Sequence, residues 1–352
     1  MKNFGKKLGS MALALVMAFG LLTTAQFGAL AQGEKLFATK SASFSAQSIQ
    51  PAAVKTGDDG TTNWDFIEPV THKKSVPSGY IGISTAAQLN AVRNNLNKNY
   101  ILMANIDLSG WGNWVPIGGD ENAPFKGAFD GNGYVIKNMT VNVKSANSIY
   151  AGLFGYCYAG SIKNLGMLGG SVITSSASYY SHYVGGIAGD SSSSISNCYN
   201  TGNVRASSVS HSEVGGIVGI SSSSISNCYN TGEVSASSAS YSSYAGGIAG
   251  YSSSASIINC HNTGDVRASS ASYSYAGGIA GYSSSASSSI SICYNAGDVS
   301  ASSSASYSPC AGGIAGDSSS SISNCYNIGD VSASPPRIIV VVVQPRAGRD
   351  YG

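Results

Sequence analysis

Cysteine is the residue type whose spacing in this sequence most suggests chemistry. Five of the seven cysteines recur at intervals of 30, 32, 33 and 32 residues: Cys198, Cys228, Cys260, Cys293 and Cys325. A zinc finger or ribbon needs close pairs such as CxxC or HxxxH, and the sequence has none. The column therefore predicts a structural role, either as buried thiols or as disulfides between neighbouring copies.

A second column consists of one asparagine followed by four acidic residues: Asn203, Glu233, Asp265, Asp298 and Asp330. Stacked carboxylates repel one another unless water surrounds them or a cation bridges them. The last four residues are thus calcium candidates, and the alternative is that they are solvated turn residues.

Two tryptophans could bind a sugar. Trp111 and Trp114 lie close in sequence to Asp107 and Asp120. An indole face can stack on a sugar ring while a carboxylate binds its hydroxyl groups, but the same indoles could equally close the core of the first coils.

The sequence gives little support for catalysis. The four histidines, His72, His182, His211 and His261, are scattered, and no HExxH motif occurs. The serines lie in low-complexity runs without a partnered base. We predict a protein that is not an enzyme and has no catalytic residues and no cofactor.

The segment GGIAG and its variants recur five times. The first and last glycines of these segments are Gly185, Gly189, Gly215, Gly219, Gly246, Gly250, Gly277, Gly281, Gly312 and Gly316. No GK[ST] follows them, and no ribose-binding acid completes a dinucleotide fingerprint. We expect structural glycines that permit either a positive φ or a close approach between coils.

Composition narrows the class of protein. Only 10% of the 352 residues are charged, 44 are glycine, and the net charge is +2. This composition is unlike that of a charged disordered chain, and the net charge does not predict nucleic acid as a partner.

The N-terminus has the pattern of a secretory signal peptide. Three lysines precede the apolar stretch Met11 to Leu22, and Ala29-Leu30-Ala31 supplies a small-x-small cleavage site. We predict cleavage after Ala31 and a secreted or cell-surface protein with no membrane span after cleavage, a membrane anchor being the alternative.

The segment GGIAGDSSSSISNCYNTGNV at Gly185 is one of several copies. Related segments begin at Gly215, Gly246, Gly277 and Gly312, and a divergent copy begins at Ala151. Six copies with a period near 30 residues predict a solenoid. Short β segments separated by glycine and asparagine, without helical periodicity, favour an all-β, right-handed parallel β-helix with one coil per repeat. Ile195, Cys198 and Val204 can share one face only if the chain bends near Asn197 or Asn200.

These repeats resemble the GLUG-motif repeats of exported bacterial surface proteins, which also occur outside the catalytic domain of IgA1-specific metallopeptidases. The resemblance rests on GGIAG…ISNCYNTGDV-type copies and on the upstream segment ISTAAQLNAVRNNLNKNYILMANIDLSGWGNWVPIG, and it spans about Gly79 to Val331. It implies a β-helix with a surface role and no particular substrate.

The upstream segment predicts a short capping helix. Thr85 to Gln88 has the pattern of a capping box, and Leu89, Val92 and Leu96 share one helical face up to about Asn97. Such a helix could cover the open end of the solenoid.

The stacking of the coils disfavours disulfides between neighbouring cysteines of the column. In-register stacking places Cβ atoms about 4.8 Å apart with parallel vectors, against about 3.8 Å in a disulfide. Leu165 occupies the cysteine position of the first copy. We therefore favour buried thiols that act as small hydrophobic side chains, with partial pairing between rungs as the alternative. Cys157 and Cys310 lie outside the column, in the first and last copies.

We divide the chain into a signal peptide (1–31), a flexible Ser/Thr/Ala-rich linker (32–78), an N-terminal cap with the first coils (79–142), GLUG-type repeats (143–334) and an atypical tail (335–352). The tail contains no serine, and it is either a last strand with a basic end or the product of a frameshift or truncation. Tracts of variable length such as Ala236 to Tyr244 are expected as loops or extended edges, either a binding face or a solvated filler.

These observations favour a non-catalytic exported scaffold. An adhesin for glycans or for host or matrix proteins is one form of it. The alternative is a fragment or relative of a larger exported hydrolase, a peptidase or a polysaccharide-active β-helix, that lacks its catalytic module.

Overall fold

The computed structural model describes residues 71–145, 147–304 and 309–335, and the backbone of three further strands, Lys55–Thr56, Thr62–Asn63 and Ile338–Val340. The predicted signal peptide, its cleavage site at Ala31 and most of the predicted linker and tail lie outside these residues. Lys55–Thr56 pairs with Thr62–Asn63 in an antiparallel manner.

Five parallel sheets form the solenoid, and each complete coil adds one strand to each sheet in turn. The first sheet contains Phe154–Cys157, Ala188–Ser191, Val218–Ser221, Ala249–Ser252, Ala280–Ser283 and Ala315–Ser318. The second contains Tyr80–Ile83, Asn99–Leu102, Ala128–Asp130, Ser161–Lys163, Ser194–Ser196, Ile225–Ser226, Ile257–Ile258, Ser289–Ser291 and Ser321–Ser323. The third contains Ile106–Asp107, Val135–Lys137, Gly166–Leu168, Tyr199–Asn200, Tyr229–Asn230, His261–Asn262, Tyr294–Asn295 and Tyr326–Asn327.

Two further sheets complete each coil. The fourth contains Thr140–Lys144, Ser171–Ser175, Asn203–Ser208, Val234–Ser238, Val266–Ser270, Val299–Ser303 and Val331–Ser334. The fifth contains Ile149–Ala151, His182–Gly185, Ser212–Gly215, Ser243–Gly246, Ser274–Gly277, Cys310–Gly312 and Ile338–Val340. The parallel β-helix expected from the repeats is confirmed, and identical residues pair between coils, as Ile195 does with Ile225.

Asparagine in the left-handed conformation makes the bend between the second and third sheets. Asn197, Asn227 and Asn259 each have φ of 52°, so of the two positions predicted for the bend, Asn197 is the one observed. Asparagine tolerates this conformation better than most residues. The side chains also bond to one another, because Nδ2 of Asn227 donates to Oδ1 of Asn197 at 3.0 Å and Nδ2 of Asn259 donates to Oδ1 of Asn227 at 2.8 Å.

A second asparagine column lies inside the solenoid, and it explains why the second residue of each GG pair is glycine. In the coil of Asn230, Nδ2 donates to the carbonyl of Gly232 at 2.7 Å and to Oδ1 of Asn262 at 2.9 Å. A Cβ atom on Gly247 would lie 2.3 Å from Cγ of Asn262 and 2.2 Å from the carbonyl oxygen of Gly278. The second glycine of each GG pair therefore leaves room for a buried carboxamide.

The first glycine of each pair also permits close approach. A Cβ on Gly185 would lie 2.3 Å from the carbonyl oxygen of Ala188 and 2.6 Å from that of Ile217. None of the ten repeat glycines has a positive φ. Of the two roles considered for them, close packing is the one observed, and asparagine takes the left-handed positions.

The predicted capping helix is confirmed, but it ends early. An α-helix spans Ala86–Ala91, followed by a 3-10 turn at Val92–Asn94, whereas the apolar spacing suggested an end near Asn97. Thr85 Oγ1 accepts from the backbone N–H of Gln88 at 3.2 Å, and Gln88 Oε1 accepts from that of Ser84 at 2.8 Å. The short asparagine side chains after Val92 compete for backbone hydrogen bonds and favour the turn.

The variable tracts contain more strand than expected. In the tract from Ala236 to Tyr244, only residues 239–242 lie between the strands Val234–Ser238 and Ser243–Gly246. The described residues contain no helix with the length and apolar character needed to cross a membrane.

Replacing Ile292 should stabilise the solenoid. Ile292 occupies the left-handed position of its coil, with φ of 56°, where the neighbouring coils have Asn259 and Asn324. A β-branched residue is disfavoured there by about 1–2 kcal/mol. We expect Ile292→Asn to raise the free energy of unfolding by about that amount, measured by urea denaturation. The same exchange at the exposed Ile328, which has no positive φ, is the control and should give no such gain.

Adding a methyl group at the buried column should destabilise the fold. In Gly247→Ala the new Cβ meets Asn262 and a neighbouring carbonyl, so we expect a loss of about 1–3 kcal/mol in unfolding free energy. Gly110→Ala is the matched control, because a Cβ there meets nothing within 4 Å. Equal effects of the two substitutions would contradict the packing role of Gly247.

Candidate functional site

The outward faces of the first and fifth sheets carry two facing columns of tyrosine and acidic side chains. We call them together the tyrosine groove. The fifth-sheet column contains Tyr150, Tyr183, Glu213, Tyr244, Tyr275 and Cys310. The first-sheet column contains Tyr156, Asp190, Ile220, Tyr251, Tyr282 and Asp317.

Ring contacts join the two columns. Along the fifth sheet, ring centroids are 4.9 Å apart for Tyr150 and Tyr183 and 5.2 Å apart for Tyr244 and Tyr275. Across the groove, the closest pairs are Tyr150 with Tyr156 at 5.6 Å, Tyr275 with Tyr282 at 5.7 Å, and Tyr244 with Tyr251 at 5.9 Å. The columns therefore line one continuous surface.

The glycine turn is what holds the two columns together. A Cβ on Gly189 would lie 2.6 Å from the carbonyl oxygen of Tyr183, so the two sheets can approach closely only because this residue is glycine. In most copies the two groove residues are seven positions apart, as Tyr244 and Tyr251 are, with the turn between them.

Glu213 interrupts the tyrosine column. Its side chain lies between those of Tyr183 and Tyr244 in the register of the fifth sheet. The residue is only 8% exposed, and its Oε2 atom has no hydrogen-bond partner among the described residues. Burial, with a smaller contribution from the charge of Asp190, raises the pKa of Glu213 to about 8.

A second acid, Asp190, lies on the first-sheet column one coil before Glu213, where it is opposite Tyr183. Burial and the nearby charge of Glu121 raise the pKa of Asp190 to about 6. Burial also raises the pKa of Tyr183, and the charges of Glu213 and Asp190 add to this effect. The groove thus combines half-buried phenol rings with acidic groups, of which Asp317 lies at its far end.

The sequence interpretation missed these residues. A signal was present, because a tyrosine or an acid stands two positions before most GG pairs, as at Tyr183, Glu213, Tyr244 and Tyr275. The alternation of a strand shows that such residues point outward, but it does not show that two sheets bring them face to face.

The two tryptophans have different environments. Trp114 is fully buried, and its Nε1 donates to the carbonyl of Leu153 at 3.1 Å. Trp114 therefore closes the core, and its predicted sugar-stacking role is wrong. Trp111 is 37% exposed, with its ring centroid 6.1 Å from that of Trp114. For Trp111 the stacking role stays a prediction.

The cysteine column consists of free, buried thiols. Each Sγ lies 3.1–3.3 Å from the carbonyl oxygen two residues earlier. Burial raises the pKa of the Cys228 and Cys293 thiols. Cys157 is also buried and Cys310 is half-buried in the groove. The arrangement fits small hydrophobic side chains whose S–H groups are satisfied locally.

Arginine side chains bind the first two acidic residues of the carboxylate column. Glu233 binds Arg205 at 2.5 Å and Arg267 at 2.6 Å, and Arg267 also binds Asp265 at 2.8 Å. Farther along, the carboxylate of Asp298 accepts the backbone N–H of Asp330 at 3.0 Å. Within the part of the chain that the structure describes, no three His, Cys, Asp or Glu side chains come together in a way that could hold a metal. Three of the four calcium candidates, Glu233, Asp265 and Asp298, are thus engaged with arginine or backbone groups.

Comparison with known proteins supports the repeat assignment. The family description "The GLUG motif" matches residues 180–205, 210–235 and 241–267. The chain is similar to a crystal structure of a Bacteroides ovatus protein proposed to be an immunoglobulin A1 protease, with a TM-score of 0.56, 27% identity and coverage of 79% of this chain and 81% of that one. The resemblance to GLUG-motif repeat proteins is therefore confirmed.

A curated relative is much longer than the matched region. It is an Evansella cellulosilytica protein named as a proposed Gly-rich membrane protein, 40% identical over 95 residues, which are 25% of this chain and 11% of the relative. The repeats thus form a domain of a kind that also occurs within larger proteins.

The buried acid of the groove predicts a pH-dependent stability. The folded pKa of Glu213, about 8, exceeds its ordinary value of 4.5, so the folded state holds a proton that the unfolded chain has lost. This contribution to stability is complete below pH 4.5, falls as the pH rises toward 8 and is absent above it. Relative to wild type, Glu213→Gln should therefore gain thermal stability across this window, and Glu233→Gln, outside the groove, should not. If the melting temperatures of wild type and Glu213→Gln changed equally with pH, the prediction would be contradicted.

Proposed function

We propose that this array of GLUG repeats is a non-catalytic scaffold that works outside the cell and binds a ligand in its tyrosine groove. An adhesin that recognises glycans or host or matrix proteins is one form of this function. The observation that carries the proposal is the pair of facing columns, which continue over six coils.

The groove residues are not needed for the core. Columns of Ile, Val, Ala and Cys fill the interior, while the tyrosines point outward and remain half-exposed. Phenol rings with neighbouring carboxyl groups supply both an apolar face and hydrogen-bonding groups, a combination enriched at binding surfaces. A rigid sheet keeps such side chains in fixed positions and so lowers the entropy cost of binding.

Two of the four histidines, His182 and His261, support a non-catalytic role. His182 is buried with Nδ1 2.9 Å from Oγ1 of Thr174, and burial lowers its pKa to about 4. His261 stacks between Tyr229 and Tyr294 at centroid distances of 5.0 and 4.7 Å. Both rings are committed to packing and cannot reach a substrate at the surface.

A second candidate function is that of an accessory repeat region of a larger exported hydrolase. The similarity to the Bacteroides ovatus protein favours it, since that protein is proposed to be an immunoglobulin A1 protease. In this case too, the repeats would bind and position while another module carried out the cleavage.

An extracellular location agrees with the sequence. The predicted signal peptide directs export, and the Evansella cellulosilytica relative is named as a membrane protein. Free thiols packed away from solvent would be protected from oxidation in that compartment.

Loss of groove tyrosines should abolish ligand binding. We would apply the purified chain to arrays of glycans, matrix proteins and extended peptides. Any ligand bound by wild type should be lost in Tyr183→Ala/Tyr244→Ala, because both rings line the groove, and retained in Tyr179→Ala/Tyr241→Ala, which removes two exposed rings from loops. Binding that survives in the groove variant, or its absence throughout the arrays, would contradict the proposal. Turnover of a polysaccharide or protein by the purified chain would overturn the non-catalytic role.

A further inference from the structure

We infer that the ligand of the tyrosine groove is an extended peptide with basic side chains, one of which places its cationic group over Glu213 between the rings of Tyr183 and Tyr244. This inference rests on the proposed binding function and specifies the chemistry of its ligand.

Glu213 separates two rings of the tyrosine column. Neighbouring rings in the column are 4.9 and 5.2 Å apart, and Tyr183 and Tyr244 are separated by two coils because Glu213 stands between them. Two steps give about 10 Å, so a cation on the outer side of the Glu213 carboxyl group, midway along the column, would lie at least about 5 Å from each ring, near the roughly 6 Å limit of a cation–π contact. Glu213 is only 8% exposed and fills the space between the rings, so the cationic group of a lysine or an arginine would bind over its carboxyl group.

The charge of the groove selects a cation. The carboxyl group of Glu213 is buried and its Oε2 lacks a partner among the described residues. Asp190 lies one coil away on the first-sheet column and contributes to the raised pKa of Glu213, and Glu121 is close enough to Asp190 to raise its pKa. A buried acid without a partner is costly, and a bound cation would supply the missing hydrogen bond and countercharge. A neutral sugar would supply the hydrogen bond but not the charge.

The far end of the groove sets the spacing of a second basic residue. Asp317 belongs to the coil three steps beyond that of Glu213. At about 4.8 Å a coil this is about 14 Å, and an extended peptide rises about 3.4 Å per residue. Basic side chains four residues apart, which also lie on the same side of an extended chain, would therefore meet Glu213 and Asp317 together.

Calorimetry with short peptides tests this inference. The probe is the acetylated and amidated heptapeptide Ser-Lys-Ser-Thr-Ser-Lys-Ser, titrated into the full chain at low ionic strength. We expect it to bind, and to lose at least about tenfold in affinity when both lysines are replaced by norleucine or when they are placed two residues apart.

Matched variants locate the peptide on the surface. Glu213→Gln keeps the shape of the side chain and removes its charge, and Tyr244→Leu removes one ring, so each should weaken binding at least about tenfold. Glu233→Gln removes a half-buried carboxylate outside the groove, one that binds Arg205 and Arg267, and should have little effect on peptide binding.

A pH series gives an independent readout. Because a cation favours the ionised carboxyl group, peptide binding should release a proton from Glu213 and tighten as the pH rises from 7 to 9 in wild type but not in Glu213→Gln. The titratable groups around Glu213 are Tyr183, Tyr244 and Asp190, with Glu121 beside Asp190. Asp190, with a pKa of about 6, is largely ionised throughout this range.

The outcomes separate the inference from the proposed function. Equal affinities for the lysine and norleucine peptides, or for wild type and Glu213→Gln, would overturn the inference. Tyrosine-dependent binding of a neutral glycan instead would overturn it and leave the proposed groove function intact. Failure of every probe to depend on the groove tyrosines would overturn both.

Discussion

Four successive coils bury an asparagine carboxamide, that of Asn200, Asn230, Asn262 or Asn295, which bonds to its own turn and to the next coil. Asn262, for example, donates to the carbonyl of Gly264 at 2.6 Å and to Oδ1 of Asn295 at 2.8 Å. An unsatisfied amide in this interior would cost about 1–3 kcal/mol. A shift in register between coils would break this bond, so the ladder fixes the register while the loops between the fourth and fifth sheets are free to change length. The paired glycines follow from the same constraint, because the carboxamide fills the space that a Cβ would need.

The fold could be predicted from the sequence because repetition supplies much of the information. The period identified a solenoid, the offsets of Ile195 and Cys198 required a bend near Asn197, and the apolar residue Leu165 in the cysteine position pointed to buried thiols. The glycines were harder to interpret. A glycine that permits a positive φ and one that leaves room for a neighbour look identical in a sequence, and only the position of Asn262 beside Gly247 distinguishes them. The same limit applies to Trp114, whose burial depends on its contact with Leu153, 39 residues away.

The candidate site was less predictable than the fold for a related reason. Tyr244 and Tyr251 lie on either side of a turn, and their contact at 5.9 Å exists only because two sheets meet there. For the acidic column, the sequence left open both a calcium site and solvated turn residues. The structure adds that Arg205 and Arg267 pair with Glu233 and Asp265. Among the described residues, the acid with a buried oxygen that lacks a hydrogen-bond partner is Glu213, at a position where four other copies have tyrosine.

A scaffold of this kind separates stability from recognition. Inward columns of Ile, Asn and Cys are nearly uniform from coil to coil, so each coil rests on almost the same interior. Outward positions in the groove can then change between tyrosine, acid and isoleucine while the backbone stays in register, as the pairing of Asp190, Ile220 and Tyr251 shows. In the proposed function, differences among the copies, rather than their shared motif, would determine where along the groove a ligand is held. Glu213 is the strongest of these differences, because it places a buried charge-bearing group where the surrounding column offers aromatic faces.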